Sequence, residues 1–209
     1  MSKLKVNQYV VGPVSTNCYF AVNQESKEAI VIDPGASAEV LMHRMIEEGI
    51  TVSAILLTHG HFDHAGAAAE LAKKCNVPVY AHAQEQDVLE SAELNASWMM
   101  GLNETYCADV YLKDGQEIDL AGFHIRVMHT PGHTKGGCCY YFSYEDAVFV
   151  GDTLFAGSVG RTDLATGSMS ELITSIRENL MVLPEETIVY PGHGDVTTVG
   201  EERMYNPYL

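Results

Sequence analysis

The stretch that decides the reading of this chain is Ala54-Ile55-Leu56-Leu57-Thr58-His59-Gly60-His61-Phe62-Asp63-His64-Ala65-Gly66. Its first five residues are apolar or small and run straight into three histidines and an aspartate within six positions. A short apolar run that stops at a Gly-containing turn predicts a buried strand. The segment behind it, Ala65 to Lys74, is rich in Ala, Leu and Lys and predicts a helix. Four potential metal ligands therefore sit on a strand-to-helix loop, where a rigid scaffold can make such groups converge. Residues two apart in extended chain point the same way, so His59 and His61 can reach one ion. Asp63 and His64 fall where the chain turns and face a second point. The competing account is a polar turn that holds histidines by chance. With 9 histidines in 209 residues, the clustering favours metal.

Composition narrows the classes. A length of 209 residues suits one large domain or two small ones and can bury a substantial core. No linker, low-complexity segment or residue-level repeat divides it, so one domain over residues 1–209 is expected. The net charge is −16, from 28 acidic and 12 basic residues. That argues against nucleic acid or an anionic membrane surface as partner. Most of the acidic excess reads as solvated helix surface, as at Glu25 to Glu28 and at Glu201-Glu202. Cys18, Cys75, Cys107, Cys138 and Cys139 include no CxxC and read as small buried hydrophobes, with Cys138 and Cys139 on opposite faces of a strand. The first residues hold no signal-peptide core and no run reaches transmembrane length, so a cytoplasmic protein is expected.

Outward from the central stretch, a pattern recurs. Predicted strands at Tyr9–Val11, Cys18–Val22, Ala29–Ile32, Val77–Ala81, Phe123–Met128, Gly137–Phe142, Ala147–Val150 and Thr187–Tyr190 alternate with helices at Ala38–Glu48, Ala83–Ser91, Ser168–Met181 and Val199–Met204. The first of these helices should turn Val40, Leu41, Met45 and Ile46 inward and stop at Gly49. Asp109–Leu120, with Asp114-Gly115 at its middle, suggests a hairpin. Apolar runs end in polar turns at Asp33, at the His59 cluster, at His129/His133, at Asp152 and at His193. Strand ends on one edge of a layered sheet structure would bring these together. An α/β layered fold with helices outside two packed sheets follows.

The candidate ligands are His59, His61, Asp63, His64, His133, Asp152 and His193, five imidazoles and two carboxylates. One ion rarely takes seven protein ligands, so two ions sharing a carboxylate fit better. A mixed His/Asp set suits zinc, ferrous iron or manganese and not calcium. Taken alone, His193 after Pro-Gly reads as a turn residue and Asp152 as a helix cap. Their shared placement at strand ends raises both. His129 reads as a supporting or core histidine, and His43, His82 and His124 as structural.

T-H-G-H-F-D-H resembles the HxHxDH signature of the metallo-β-lactamase superfamily, and H-T-P-G-H-T, F-V-G-D-T-L-F and Y-P-G-H-G resemble its later motifs in order. Their wording is closest to the glyoxalase II branch, the hydroxyacylglutathione hydrolases. The resemblance implies a four-layer αββα sandwich. It implies one metal at His59, His61 and His133, a second at Asp63, His64 and His193, and Asp152 between them, with two zinc ions as the expected cofactors. Asp33 matches a motif that supports the metal loops. Two departures stand out. The chain ends about sixteen residues after His193, without the C-terminal helical extension that helps glyoxalase II bind glutathione. Arg161 stands where that branch has a Lys on the glutathione glycine, and Asp163 where it has a Tyr. Arg can clamp a carboxylate; a surface ion pair with Asp163 or Glu171 is the alternative. Shorter glyoxalase II-like proteins form the subgroup this chain resembles.

No Ser or Cys sits in a nucleophile motif, so hydroxide formed from water on the metals is the expected nucleophile, oriented by Asp63 or Asp152. The substrate expected is a small thioester, S-D-lactoylglutathione or a related acyl thioester. A mononuclear-iron sulfur dioxygenase acting on glutathione persulfide is the alternative from another class, and a hydrolase of another ester or lactone is a third. Nuclease and lactamase activities are disfavoured by the acidic balance and by the lack of an evident clamping Lys. Trp98-Met99-Met100 reads either as an apolar cover for the site or as a core or dimer-interface helix.

Overall fold

The computed structural model describes residues 3–209; Met1 and Ser2, part of the amino-terminal stretch read above, lie outside them. Strands β1 (Leu4–Val11) and β2 (Thr16–Asn23) form an antiparallel hairpin, and β3 (Glu28–Ile32) pairs antiparallel to β2. Helix α1 (Ala38–Glu48) then crosses to β4 (Thr51–Leu56), which lies parallel to β3. Helices α2 (Phe62–Ala65) and α3 (Ala68–Cys75) lead to β5 (Val79–His82), and α4 (Gln86–Leu89) precedes β6 (Val110–Leu112). These complete a six-stranded sheet in the order β1-β2-β3-β4-β5-β6.

The second half repeats the plan. β7 (Glu117–Leu120), β8 (Phe123–His129), β9 (Cys138–Phe142) and β10 (Ala147–Gly151) form an antiparallel meander. A two-stranded excursion, β11 (Leu154–Phe155) and β12 (Ser158–Val159), and helix α5 (Met169–Ser175) follow. β13 (Ile188–Pro191) returns parallel to β10, then β14 (Thr197–Thr198) and α6 (Val199–Tyr205) close the described chain. The order of this sheet is β14-β13-β10-β9-β8-β7.

Three apolar clusters define the layers. Ile30, Ile32 and Leu56 of the first sheet meet Ile125, Tyr140, Phe142 and Phe149 of the second. On the outer side of the first sheet, Phe20, Val31 and Ile55 pack against Leu41, Met45 and Leu71 of α1 and α3. On the outer side of the second, Val148, Val150 and Val189 pack against Leu172, Ile176 and Val199. Central strands buried on both faces explain why Ala29–Ile32 and Ala147–Val150 read as unbroken apolar runs. The result is the four-layer αββα arrangement. Cys138 joins the inter-sheet cluster and Cys139 the outer one, on opposite faces of β9 as expected.

Several expectations need correction. The hairpin over Asp109–Leu120 does not form: β6 pairs with β5 in the first sheet and β7 with β8 in the second. Alternation marks strands but not partners, and here Asp109 accepts the Val79 N–H (2.8 Å), drawing β6 to the edge beside β5. Helix α1 buries Leu41 and Met45 but leaves Val40 56% and Ile46 72% exposed, because only a narrow stripe of the helix faces the sheet. The helix expected over Ala65–Lys74 breaks at Gly66-Ala67, where a Cβ on Gly66 would stand 2.5 Å from the Gly35 carbonyl oxygen. The helix expected over Ser168–Met181 loosens into a π-helical turn at Ile176–Leu180. Cys107 is exposed and Cys75 half-buried, so only Cys18, Cys138 and Cys139 behave as core. Glu202 is buried, not solvated: its carboxylate accepts hydrogen bonds from Thr197 (2.7 Å), Asn206 (2.7 Å) and the Gly157 N–H (2.9 Å).

Among the described residues no helix is long and apolar enough to cross a membrane. Phe149 is fully buried between the sheets, stacked on Tyr190 at 4.8 Å and edge-on to Tyr19 at 5.5 Å. Phe149→Ala should lower unfolding free energy by ~3–5 kcal/mol in urea titrations, and a loss below ~1 kcal/mol would show that the inter-sheet core does not rest there.

Candidate metal centre

The carboxyl ends of β3, β4, β10 and β13 lie on one edge of the sandwich, and each runs into a polar turn: Asp33, His59–His64, Asp152 and His193. The loop after β8 adds His133 from the same side. The convergence expected from the recurring strand-end turns is therefore present. The ligand atoms fall into groups that could each hold an ion: His59, His61 and His133 in one, Asp63, His64 and His193 in another. A third combination, Asp33, His59 and His64, also lies close enough. Asp33, however, is committed elsewhere. Its Oδ1 accepts the Thr58 N–H (2.8 Å), and its Oδ2 accepts the Thr58 hydroxyl (2.6 Å) and faces His64 Nδ1 at 2.9 Å. It therefore supports the loop from behind, the role implied by the resemblance.

In the first group, His61 Nδ1 lies 3.1 Å from His59 Nε2 and 2.9 Å from His133 Nε2. Nitrogens sharing one ion at ~2.1 Å sit at about this spacing from each other. Burial, together with His64 and His61 nearby, holds the His59 imidazole far below its usual range. Burial and His133 push His61 down to about 3, and burial also lowers His133. All three rings are thus neutral, with lone pairs free to donate.

The second group is charged. Asp63 Oδ2 is 3.3 Å from both His64 Nε2 and His193 Nε2 and accepts the Thr16 hydroxyl at 2.7 Å. Asp152 faces both groups: Oδ1 is 3.4 Å from His64, and Oδ2 is 3.5 Å from His133 and 3.6 Å from His193. Burial alone would raise both carboxyls. The His64 charge overrides it, taking Asp63 far below the ordinary carboxylate range and Asp152 to about 2. The same attraction, against burial, raises His64 and His193. Two largely buried carboxylates that draw protons onto their neighbours mark a place where a cation is favoured.

A test of fit comes from atoms without hydrogen bonds. His64 Nε2 and Asp152 Oδ1 are buried and make no hydrogen bond, although they face each other across the cluster. Buried polar atoms left in this way are costly, and a shared cation between them accounts for both. The outer nitrogens are oriented as metal-binding histidines require. His133 Nδ1 contacts the Arg161 carbonyl (2.7 Å), His59 Nδ1 the Thr58 hydroxyl (3.1 Å) and His193 Nδ1 the Ser15 carbonyl (3.3 Å). The residues present fit two divalent ions, with Asp152 between them.

Above the cluster lies a cavity of about 210 Å³. His61, Asp63, His133, Asp152, Arg161 and His193 form its polar side, and Val14, Phe62, Ala96, Met99, Met100 and Leu164 its apolar side. Met99 and Met100 thus belong to the wall, while Trp98 beside them is 58% exposed. That disposes of the buried-core reading of this segment. Arg161 lines the cavity and also forms a forked pair with Asp163 (2.7 and 2.8 Å). His129 does not join the cluster; it stacks on His82 at 4.3 Å and contacts the Lys135 carbonyl. His43 pairs with Glu47 on the surface.

Some residues that shape the site escaped the reading of the sequence. Thr16, Thr58 and Asn17 orient ligands or their loops, and only Thr58, adjacent to His59, had a positional signal. Glu85 also went unread: it is fully buried, and burial pushes its carboxyl up to about 7 against the pull of hydrogen bonds from Gly60, Thr134 and Gly136.

The family model described as metallo-beta-lactamase superfamily matches residues 11–193. The probable metallo-hydrolase YqgX of Bacillus subtilis (strain 168) is 41% identical over 99% of this chain and 98% of its own. The hydroxyacylglutathione hydrolase GloC of Haemophilus influenzae is 36% identical over 92% of each. Among solved structures, BLEG-1 B3 metallo-beta-lactamase superposes with a TM-score of 0.93 at 41% identity, covering 98% of this chain and 99% of that one. TTHA1623 in a di-iron-bound form gives 0.87 at 38%, covering 97% and 100%.

A Cβ on Gly192 would stand 2.2 Å from Asp152 Oδ1 and 2.6 Å from His64 Cε1. Gly192→Ala should therefore stay folded by circular dichroism yet lower bound metal, read by elemental analysis, at least to about half of wild type; full metal content would contradict the geometry.

Proposed function

The chain belongs to the metallo-β-lactamase superfamily and is a metal-dependent hydrolase, and from that premise we propose that it cleaves a small thioester, S-D-lactoylglutathione or a related acyl thioester. The observation that carries the reading is the pairing of the seven-residue His/Asp cluster with a small, half-apolar cavity that holds a single arginine. The relative named as a hydroxyacylglutathione hydrolase supports the substrate class. In this reading the whole chain is one glyoxalase II-like hydrolase domain working in the cytosol, in keeping with free cysteines and the charge of −16.

His59, His61 and His133 would hold one ion, Asp63, His64 and His193 the other, with Asp152 shared. Zinc is the ion proposed; the di-iron form of a relative keeps iron in view. When bound, divalent metals lower the pKa of water towards ~7 and polarise carbonyl oxygens. The protein's own part is positional. Asp63, fixed at Oδ2 by Thr16, orients the attacking water by accepting a hydrogen bond from it. Val14, Phe62, Met99 and Leu164 exclude bulk solvent around the acyl group. A thiolate leaves without a strong general acid, since thiols ionise near pH 8.5. Arg161 meets the carboxylate of the leaving group. To do so it exchanges Asp163 for the substrate, an inexpensive step because exposed ion pairs contribute little.

A second reading comes from the similarity to the BLEG-1 B3 metallo-beta-lactamase. β-Lactam cleavage expels an amide nitrogen, which needs a proton where a thiolate does not, so the two are separated by direct assay. Purified protein should hydrolyse S-D-lactoylglutathione with about two metals per chain, and His61→Ala and Asp152→Ala should each lower kcat at least ~10³-fold with the fold retained. Turnover of a chromogenic β-lactam alone would select the lactam reading. One iron per chain with oxygen uptake on glutathione persulfide would select the dioxygenase. Arg161→Ala should raise KM for S-D-lactoylglutathione about tenfold with kcat within twofold; an unchanged KM would remove Arg161 from substrate binding.

A further inference from the structure

We infer that Glu85 is a positioning residue that sets the geometry of the His59/His61/His133 group and not that of its neighbour. The carboxylate lies just after β5, fully buried. An isolated buried carboxylate is unfavourable unless hydrogen bonds surround it. Here they do. Oε1 accepts the Gly60 N–H (2.8 Å), and Oε2 accepts the Thr134 hydroxyl (3.0 Å) and the Gly136 N–H (2.9 Å).

The partners give the arrangement its meaning. Gly60 stands between His59 and His61, and Thr134 directly follows His133. One side chain therefore ties together the two loops that carry all three imidazoles of the first group. Behind the ligands, the Cys138 N–H donates to the Thr58 carbonyl (2.9 Å); Glu85 is the side chain that bonds Gly60 and Thr134 directly. The fit is close: a Cβ on Gly136 would lie 2.2 Å from Glu85 N, and one on Gly60 would lie 3.0 Å from Leu89. The second group has Thr16 on Asp63 as its own support, while Asp33 reaches both His64 and, through Thr58, the His59 side. Among the described residues, the hydrogen-bond partners of Glu85 are Gly60, Thr134 and Gly136, none of them a member of the second group. Loss of the carboxylate should thus act on one centre selectively, which a general packing role would not do.

The inference rests on the two-centre metal reading, and the experiment keeps the two apart. Zinc affinities of wild type and Glu85→Gln would be measured by chelator competition, with cobalt absorption as a second signal. His61→Ala and His193→Ala assign the two binding steps. Gln keeps an acceptor for Gly60 but sets an NH₂ against the Gly136 N–H. Glu85→Gln should weaken the step assigned to the His59 group about 10–100-fold, the range for loss of an outer-shell partner, and leave the other within about threefold. Thr134→Val, which removes one of the three donors and preserves the backbone, should move the same step in the same direction by less. Equal weakening of both steps, or two unchanged affinities, would overturn the positioning role. If Glu85→Gln fails to fold, unchanged affinities in Thr134→Val overturn it instead. A wild-type chain that takes up no ion overturns the metal centre itself.

Discussion

Two ionised carboxylates, Asp63 and Asp152, stand against five imidazoles at one edge of the sandwich, and the rest of the structure depends on how that charge is contained. Burial alone would raise both carboxyls above the ordinary carboxylate range. Their neighbours prevent it, at the expense of drawing protons onto His64 and His193. Nearby, His59, His61 and His133 are held neutral by burial. One group is thus ready to donate lone pairs and the other to receive positive charge. A pair of divalent ions would satisfy both conditions and would account for buried atoms such as His64 Nε2 that lack hydrogen bonds.

Loops that carry such a cluster cannot be loose, since ligand positions must hold to fractions of an ångström. The chain secures them with buried polar side chains reaching across the sequence. Asn17 donates to the carbonyls of Pro191 and Gly194, both at 3.0 Å, and Tyr19 to Pro191 at 2.7 Å, so the His193 turn is anchored to β2. Asp33 anchors Thr58 and His64. Glu85 joins the His59 and His133 loops, and Glu202 joins Gly157, Thr197 and Asn206, each with three donors. Such networks are sound only when every member is paired, and these carboxylates are.

The cavity over the cluster joins two chemistries. One side is the charged ligand set; the other is Val14, Phe62, Met99, Met100 and Leu164. Methionine adapts to irregular ligands better than branched residues do. Arg161 brings a positive charge to the lining, where it is paired with Asp163. The backbone of the same residue orients His133. One residue thus lines the cavity with its side chain and orients His133 with its backbone.

Much was legible in the order of residues alone. The HxHxDH stretch carries its chemistry in adjacent positions, and unbroken apolar runs ending in polar turns foretold strands with ligands at their ends. That worked because ligand spacing and burial on both faces are local properties. Asp109–Leu120 shows the limit. Its alternation marks two strands correctly, yet the choice of sheet depends on β5 and β8, residues far away in the chain. Val40 and Ile46 look as apolar as Leu41 and Met45, and only the angle of α1 against the sheet decides which are buried. Glu85 and Glu202 have the composition of surface residues and the position of core ones. Sequence determined which groups could bind metal and where strands would end. Tertiary structure decided which loops meet and which carboxylates hold them, because those contacts form between segments whose separation along the chain carries no local signal.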